Sequence, residues 1–134
     1  MIIAIDPGQT VGYAVADSKG NPLQVGQVDA YQICDVLDIL KPKQIVVEAF
    51  RLYPHKEKAQ TWSTLVAPRV IGAIEYWCSK NNVAIAYQGA GERNLVSDDM
   101  LRKYGFWQLT KGMHHARDAA KHLVLWIIKS KKVV

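Results

Sequence analysis

Two cysteines in 134 residues, Cys34 and Cys78, are too few for a disulfide framework, and no CxxC pair offers the spacing of a structural zinc site. A chain so poor in cysteine must be held by its core, and a reducing, cytoplasmic setting is the simplest expectation. Long apolar runs are also missing. The longest near the C-terminus, "LVLWII", has six residues against the roughly 20 that cross a bilayer, so no membrane span is expected. The opening "MIIAIDPG" has no basic segment before its apolar residues and an acid directly after them, unlike a secretory signal. No Pro/Gly/Ser-rich or low-complexity stretch proposes a linker, and the length suits one core, so a single domain over residues 1–134 is expected.

Acids are the minority charge. Seventeen Lys or Arg stand against twelve Asp or Glu, a net charge of +5, which favours nucleic acid among polyanionic partners. Scattered, solvated basic residues are the competing explanation. The turn "DPGQTVG" lacks the glycine-rich pattern ending in Gly-Lys-Ser/Thr, so it is not a phosphate loop, although Gly8 and Gly12 permit tight backbone geometry.

What is present reads as alternating elements. "IIAID" at 2–6, "VGYAVAD" at 11–17 and "LQVGQVDA" at 23–30, separated by turn residues, predict a three-strand meander. Ile33, Val36, Leu37 and Leu40 at helical spacing predict a helix that Pro42 ends, before the buried strand "QIVVEAF". A longer helix is expected between 60 and 80, with Pro68 bending it or marking its effective start. Its Ile71, Ile74, Trp77 and Cys78 face serves either the core or a subunit contact. "VAIAY" at 83–87 reads as another strand, "GAGERNLVSDD" as a loop, and 99–106 and 114–129 as helices.

The acids carry the chemistry. Asp6 ends the first strand and Glu48 ends the strand after the first helix; they are 42 positions apart, so only the fold can unite them. In "HHARDAAKH" at 114–122, His114, His115 and His122 all lie one turn from Asp118, so local spacing does not choose among them. Ala119, Leu123, Trp126 and Ile127 form the apolar stripe of that helix, with His115, Asp118 and His122 on a neighbouring face that borders a cleft or is merely solvated.

Taken in order, "IIAIDPGQTVGYAV", "IVVEAF" and "HHARDAAKH" resemble the RuvC-like Holliday-junction resolvases of bacteriophages, within the ribonuclease H-like superfamily, over nearly the whole chain. The resemblance implies an α/β fold: a mixed sheet with three early antiparallel strands, later parallel pairing, and helices on both faces. It implies a crossover junction endodeoxyribonuclease that cuts four-way junctions and related branched DNA, acting as a homodimer in the cytoplasm, the host's if the protein is phage-encoded. Asp6, Glu48 and Asp118 match the family's acidic metal positions, and His115 falls where many members carry another acid and some carry histidine. These four are the expected catalytic and metal residues for Mg²⁺ or Mn²⁺, two ions per site; carboxylates suit Mg²⁺, while imidazole sits more naturally on Mn²⁺. His115 has three open roles: ligation, management of a proton or water, and structural bonding. His114 and His122 are weaker candidates, their spacing allowing contacts behind the ligands.

Candidate DNA contacts are Phe50, Arg51, Lys56, Lys58, Arg93, Lys103, Lys111, Arg117 and Lys121. Solvation or a local acid pair competes for Arg117, and core packing competes with base stacking for Phe50, with Tyr53 a further aromatic candidate. Phe50 lies closer to Glu48 than the family's aromatic spacing, and "AYQGAGERNL" lacks the proline that relatives commonly place after the strand. Two other functions stay open: a less selective flap or RNA/DNA-hybrid nuclease, and a non-catalytic nucleic-acid-binding module.

Overall fold

The computed structural model describes residues 1–50 and 62–131. Strands β1 (Ile2–Asp6), β2 (Thr10–Ala16) and β3 (Pro22–Asp29) form the expected antiparallel meander, followed by helix α1 (Gln32–Leu40) and strand β4 (Gln44–Glu48). Helix α2 (Trp62–Asn81), strand β5 (Ala84–Gln88), a 3-10 turn (Ala90–Leu95), α3 (Asp98–Tyr104) and α4 (His114–Lys131) complete the order. The sheet runs β3-β2-β1-β4-β5, with β4 parallel to both β1 and β5. This is the ribonuclease H-like mixed sheet, and the parallel pairs set the ends of β1, β4 and β5 side by side.

Period-two alternation divides the core in two. Ile3, Ile5, Val11, Tyr13, Val15, Ile45 and Val47 point to one side and pack with α1 and α2. Ala4, Ala14, Ala16 and Val46 point to the other, under α3 and α4. Large branched side chains dominate the first face, each contributing about 1.5–3 kcal/mol when fully buried. The second face carries mostly alanines, which contribute less per residue but let α4 lie close to the strands. Asp6, Glu48 and Gln88 occupy the same face as these alanines, at the open end of the sheet.

Gly12 sets how close α4 comes. It pairs with Asp6 in the register, and a Cβ there would stand 2.1 Å from the carbonyl carbon and oxygen of His115 and 2.5 Å from the nitrogen of Ala116. Only a residue without a side chain lets the first turn of α4 cross β2 at this point. Gln27 of β3 then receives that turn: its Oε1 accepts the N–H groups of His115 and Ala116 at 3.0 and 3.4 Å, satisfying two donors that a helix start leaves without partners.

Several sequence expectations are sharpened. Pro68 lies inside α2 rather than at its start. Trp77 is buried and donates its indole N–H to Asp38 at 2.7 Å, so its face serves the core. The expected 89–99 loop contains the 3-10 turn, and α3 closes at Gly105, whose φ of 87° is one that glycine adopts without strain. Phe50 is half-buried and packs against the α1/α2 core. No helix among the described residues is long and apolar enough to cross a membrane.

Candidate functional site

The four expected site residues converge. Asp6 and Glu48 project from neighbouring parallel strand ends, and the first turns of α4 bring His115 and Asp118 over them. His115 Nδ1 lies 3.3 Å from Asp6 Oδ2. Asp6 and Glu48 are each only 9% exposed, whereas the Asp118 and His115 side chains retain 27% and 33%. The site therefore has a buried floor of two carboxylates and a rim open to solvent.

Three carboxylates in so small a space have to be neutralised. Burial, then the charge and hydrogen bond of Glu48 and the charge of Asp118, push Asp6 up to about 8, with Arg93 acting against them. Burial raises Glu48 too, but its contacts with His122 and Asp6 and the Arg93 charge outweigh this and hold Glu48 below its ordinary value. The pair thus favours a proton on Asp6 and charge on Glu48. Burial and then neighbouring His114 lower the His115 imidazole, against the pull of Asp118 and Glu48, leaving a neutral ring with a lone pair at pH 7. His114 itself is exposed and sits tilted against that ring at 4.0 Å.

Arg93 belongs to this site. Its Nη1 lies 3.0 and 3.1 Å from the two oxygens of Glu48 and 3.6 Å from Asp118 Oδ2. The 3-10 turn after β5 delivers it there, and the sequence pointed to it only as a DNA-binding arginine. Among the described residues, no three His, Cys, Asp or Glu side chains close around one point as a metal ion would require. The cation between Glu48 and Asp118 is the guanidinium.

Beneath the carboxylates lies a part of the site that sequence reasoning assigned to a polar helix face. His122 is fully buried, with Nδ1 2.7 Å from Gln88 Oε1 and Nε2 3.3 Å from Glu48 Oε2. Gln88 ends β5 directly opposite Glu48 in the register. The available signal was positional: Gln88 occupies on β5 the strand-end place that Glu48 occupies on β4.

The other basic candidates are dispersed. Arg117 is tied down, donating to Thr110 Oγ1 at 3.1 Å and the Trp107 carbonyl at 2.9 Å while its guanidinium lies 3.8 Å from the Trp107 ring centre. Lys121 reaches Asp98 at 4.0 Å. Lys103 and Lys111 are exposed on α3 and the loop before α4. Arg51, Tyr53, Lys56 and Lys58 lie outside the described residues.

No family model matches the sequence, and no curated protein matches it significantly. Solved structures do match. RuvC of Thermus thermophilus in complex with a Holliday junction substrate superposes with a TM-score of 0.71 at 16% identity, over 97% of this chain and 94% of that one. The fold is RuvC-like. A second Thermus thermophilus RuvC structure agrees, with a TM-score of 0.63, 17% identity, and coverage of 98% and 96% of the two chains. At such identities the likeness concerns the path of the chain; the side chains must make their own case.

Proposed function

We propose that this chain is a metal-dependent, structure-selective endodeoxyribonuclease that hydrolyses phosphodiester bonds in Holliday junctions and related branched DNA. The observation that carries this reading is the meeting of Asp6, Glu48, His115 and Asp118 at the open end of a RuvC-like sheet. The donor set suits a divalent cation. Three carboxylates share one guanidinium, and Asp6 is pushed up to about 8 first by burial and next by Glu48, so the cluster is short of positive charge. Mg²⁺ or Mn²⁺, two ions per site, would supply Lewis acidity and lower the pKa of water that attacks the scissile phosphorus. Asp6 and Glu48 would form the floor of the metal site, with Asp118 and neutral His115 completing it from α4.

Arg93 has a double part in this reading. It neutralises Glu48 and Asp118, and with DNA in place it turns to a phosphate oxygen and shares the charge that builds up there. Exposed Lys103 and Lys111 supply general attraction to the backbone, and Arg51, Lys56, Lys58 and Phe50 are proposed as further DNA contacts on the strength of the sequence. A homodimer, a single domain and a cytoplasmic setting are part of the proposal. Two sites related by a two-fold axis match the paired strands of a four-way junction.

A second reading, a nucleic-acid-binding module without cleavage, is favoured by one observation: Arg93 stands where a cation between Glu48 and Asp118 would stand. Cleavage assays on matched junction, fork, flap, RNA/DNA-hybrid and linear duplex substrates in Mg²⁺ and in Mn²⁺ separate the readings. Junction cutting well above linear duplex is expected. Equal cutting of every substrate supports the less selective nuclease, and tight binding without scission under either metal supports the binding module.

A further inference from the structure

His122 and Gln88 present an unsolved pairing problem at the back of the site. His122 is fully buried and Gln88 is 5% exposed, and Gln88 Nε2 and His122 Nε2 each lack a hydrogen-bond partner among the described residues. A buried polar atom left unpaired costs about 1–3 kcal/mol, which makes two adjacent ones a strong constraint. A neutral imidazole carries one donor and one acceptor. If Nδ1 donates to Gln88 Oε1, the lone pair of Nε2 faces the Glu48 carboxylate, which is repulsive.

Turning the Gln88 amide over removes the repulsion at Glu48 and sets Gln88 Oε1 where Nε2 stood, a position without a hydrogen-bond partner among the described residues. Its Nε2 then donates to His122 Nδ1, and His122 carries its proton on Nε2, 3.3 Å from Glu48 Oε2, where a small ring rotation completes the bond. A charged imidazolium would satisfy Glu48 but leave Gln88 Nε2 unpaired and bury an additional charge. In the turned arrangement and in the imidazolium alike, the proton that faces Glu48 Oε2 is carried on His122 Nε2.

We propose that His122, held at Nδ1 by Gln88, is a positioning residue that donates from Nε2 to Glu48 Oε2 and holds that carboxylate from behind. The inference rests on Glu48 being a metal ligand, as proposed above. Hydrogen bonds behind a ligand fix its orientation, and their loss typically lowers metal affinity about 10–100-fold.

The test uses the full chain without DNA. Imidazole ¹⁵N spectra of the wild type at neutral pH report the His122 tautomer, and Mn²⁺ titration followed by electron paramagnetic resonance reports affinity. The proposed donation requires a proton on Nε2. His122→Leu should weaken Mn²⁺ binding about tenfold or more, and His122→Gln, whose amide can donate near the position of Nε2, should recover most of it. A wild-type ring protonated on Nδ1 alone overturns the donation to Glu48 whether or not the variants fold. Folded His122→Leu with wild-type Mn²⁺ affinity overturns the positioning role. If the wild type binds no Mn²⁺, or Glu48→Gln binds it equally well, the metal reading falls and takes the positioning role with it, while the tautomer still reports the hydrogen-bond chain.

Discussion

Gly12 lies so close beneath His115 that a Cβ on it would stand 2.1 Å from the His115 carbonyl carbon. One hydrogen on β2 therefore decides where the first turn of α4 sits, and with it where His115 and Asp118 sit relative to Asp6. Gly12→Ala is expected to push that turn away from the sheet, lowering stability by about 1–3 kcal/mol as overpacking does. Cleavage should fall more than the lost stability explains, because a displacement near 1 Å at a catalytic group costs about 100-fold. Denaturant unfolding and single-turnover cleavage, both on folded protein, check the two parts separately.

Arg93 competes with a metal ion for Glu48 and Asp118 in the proposed mechanism. Arg93→Ala should therefore bind Mn²⁺ more tightly without DNA, by about threefold to tenfold, yet cut junctions more slowly because a phosphate partner is gone. Titration and single-turnover rates at saturating metal check this. Weaker Mn²⁺ binding in the folded variant would show that Arg93 supports the site rather than competing for it.

Asp6 links the site to stability. Its folded value of about 8 lies above the ordinary 3.8, chiefly through burial and then Glu48, so the folded state retains a proton that the unfolded chain gives up. The stability from that proton is fully present below about pH 4 and is lost as pH rises through 8. Asp6→Asn should therefore raise the metal-free melting temperature at pH 8, by about 5 °C or more, and change it little at pH 4. Mn²⁺ should then stabilise the wild type at pH 8 and Asp6→Asn much less. Melting curves at the two pH values, with and without metal, read all of this.

The strand-end acids were legible because β-strands declare themselves locally. "IIAID" and "QIVVE" each end in an acid, and the parallel pairing of β1 with β4 brings those ends together. The face of α4 was harder to read. His115 and His122, seven residues apart, share nearly one azimuth on the helix, so periodicity grouped both as polar. The first turn overhangs the open strand ends and keeps the His115 side chain 33% exposed; two turns later the same azimuth faces the sheet, and His122 is fully enclosed. Depth along a helix over a sheet is a tertiary quantity that no sequence period encodes. Arg93 was hidden for a related reason: its turn follows a strand 40 residues beyond β4, and only the β4–β5 pairing returns it to Glu48.

Whether these carboxylates cut branched DNA is decided at Asp118, which sits on the open rim, where its loss disturbs the core least. Single-turnover cleavage of a four-way junction by wild type and by Asp118→Asn, in Mg²⁺ and in Mn²⁺ at fixed salt, should be measured beside junction affinity. Scission by the wild type is expected, with a fall of about 100-fold or more in Asp118→Asn and affinity changed by less than about threefold. Wild-type protein that binds junctions without cutting them, or folded Asp118→Asn that cuts at the wild-type rate with both metals, would contradict this expectation.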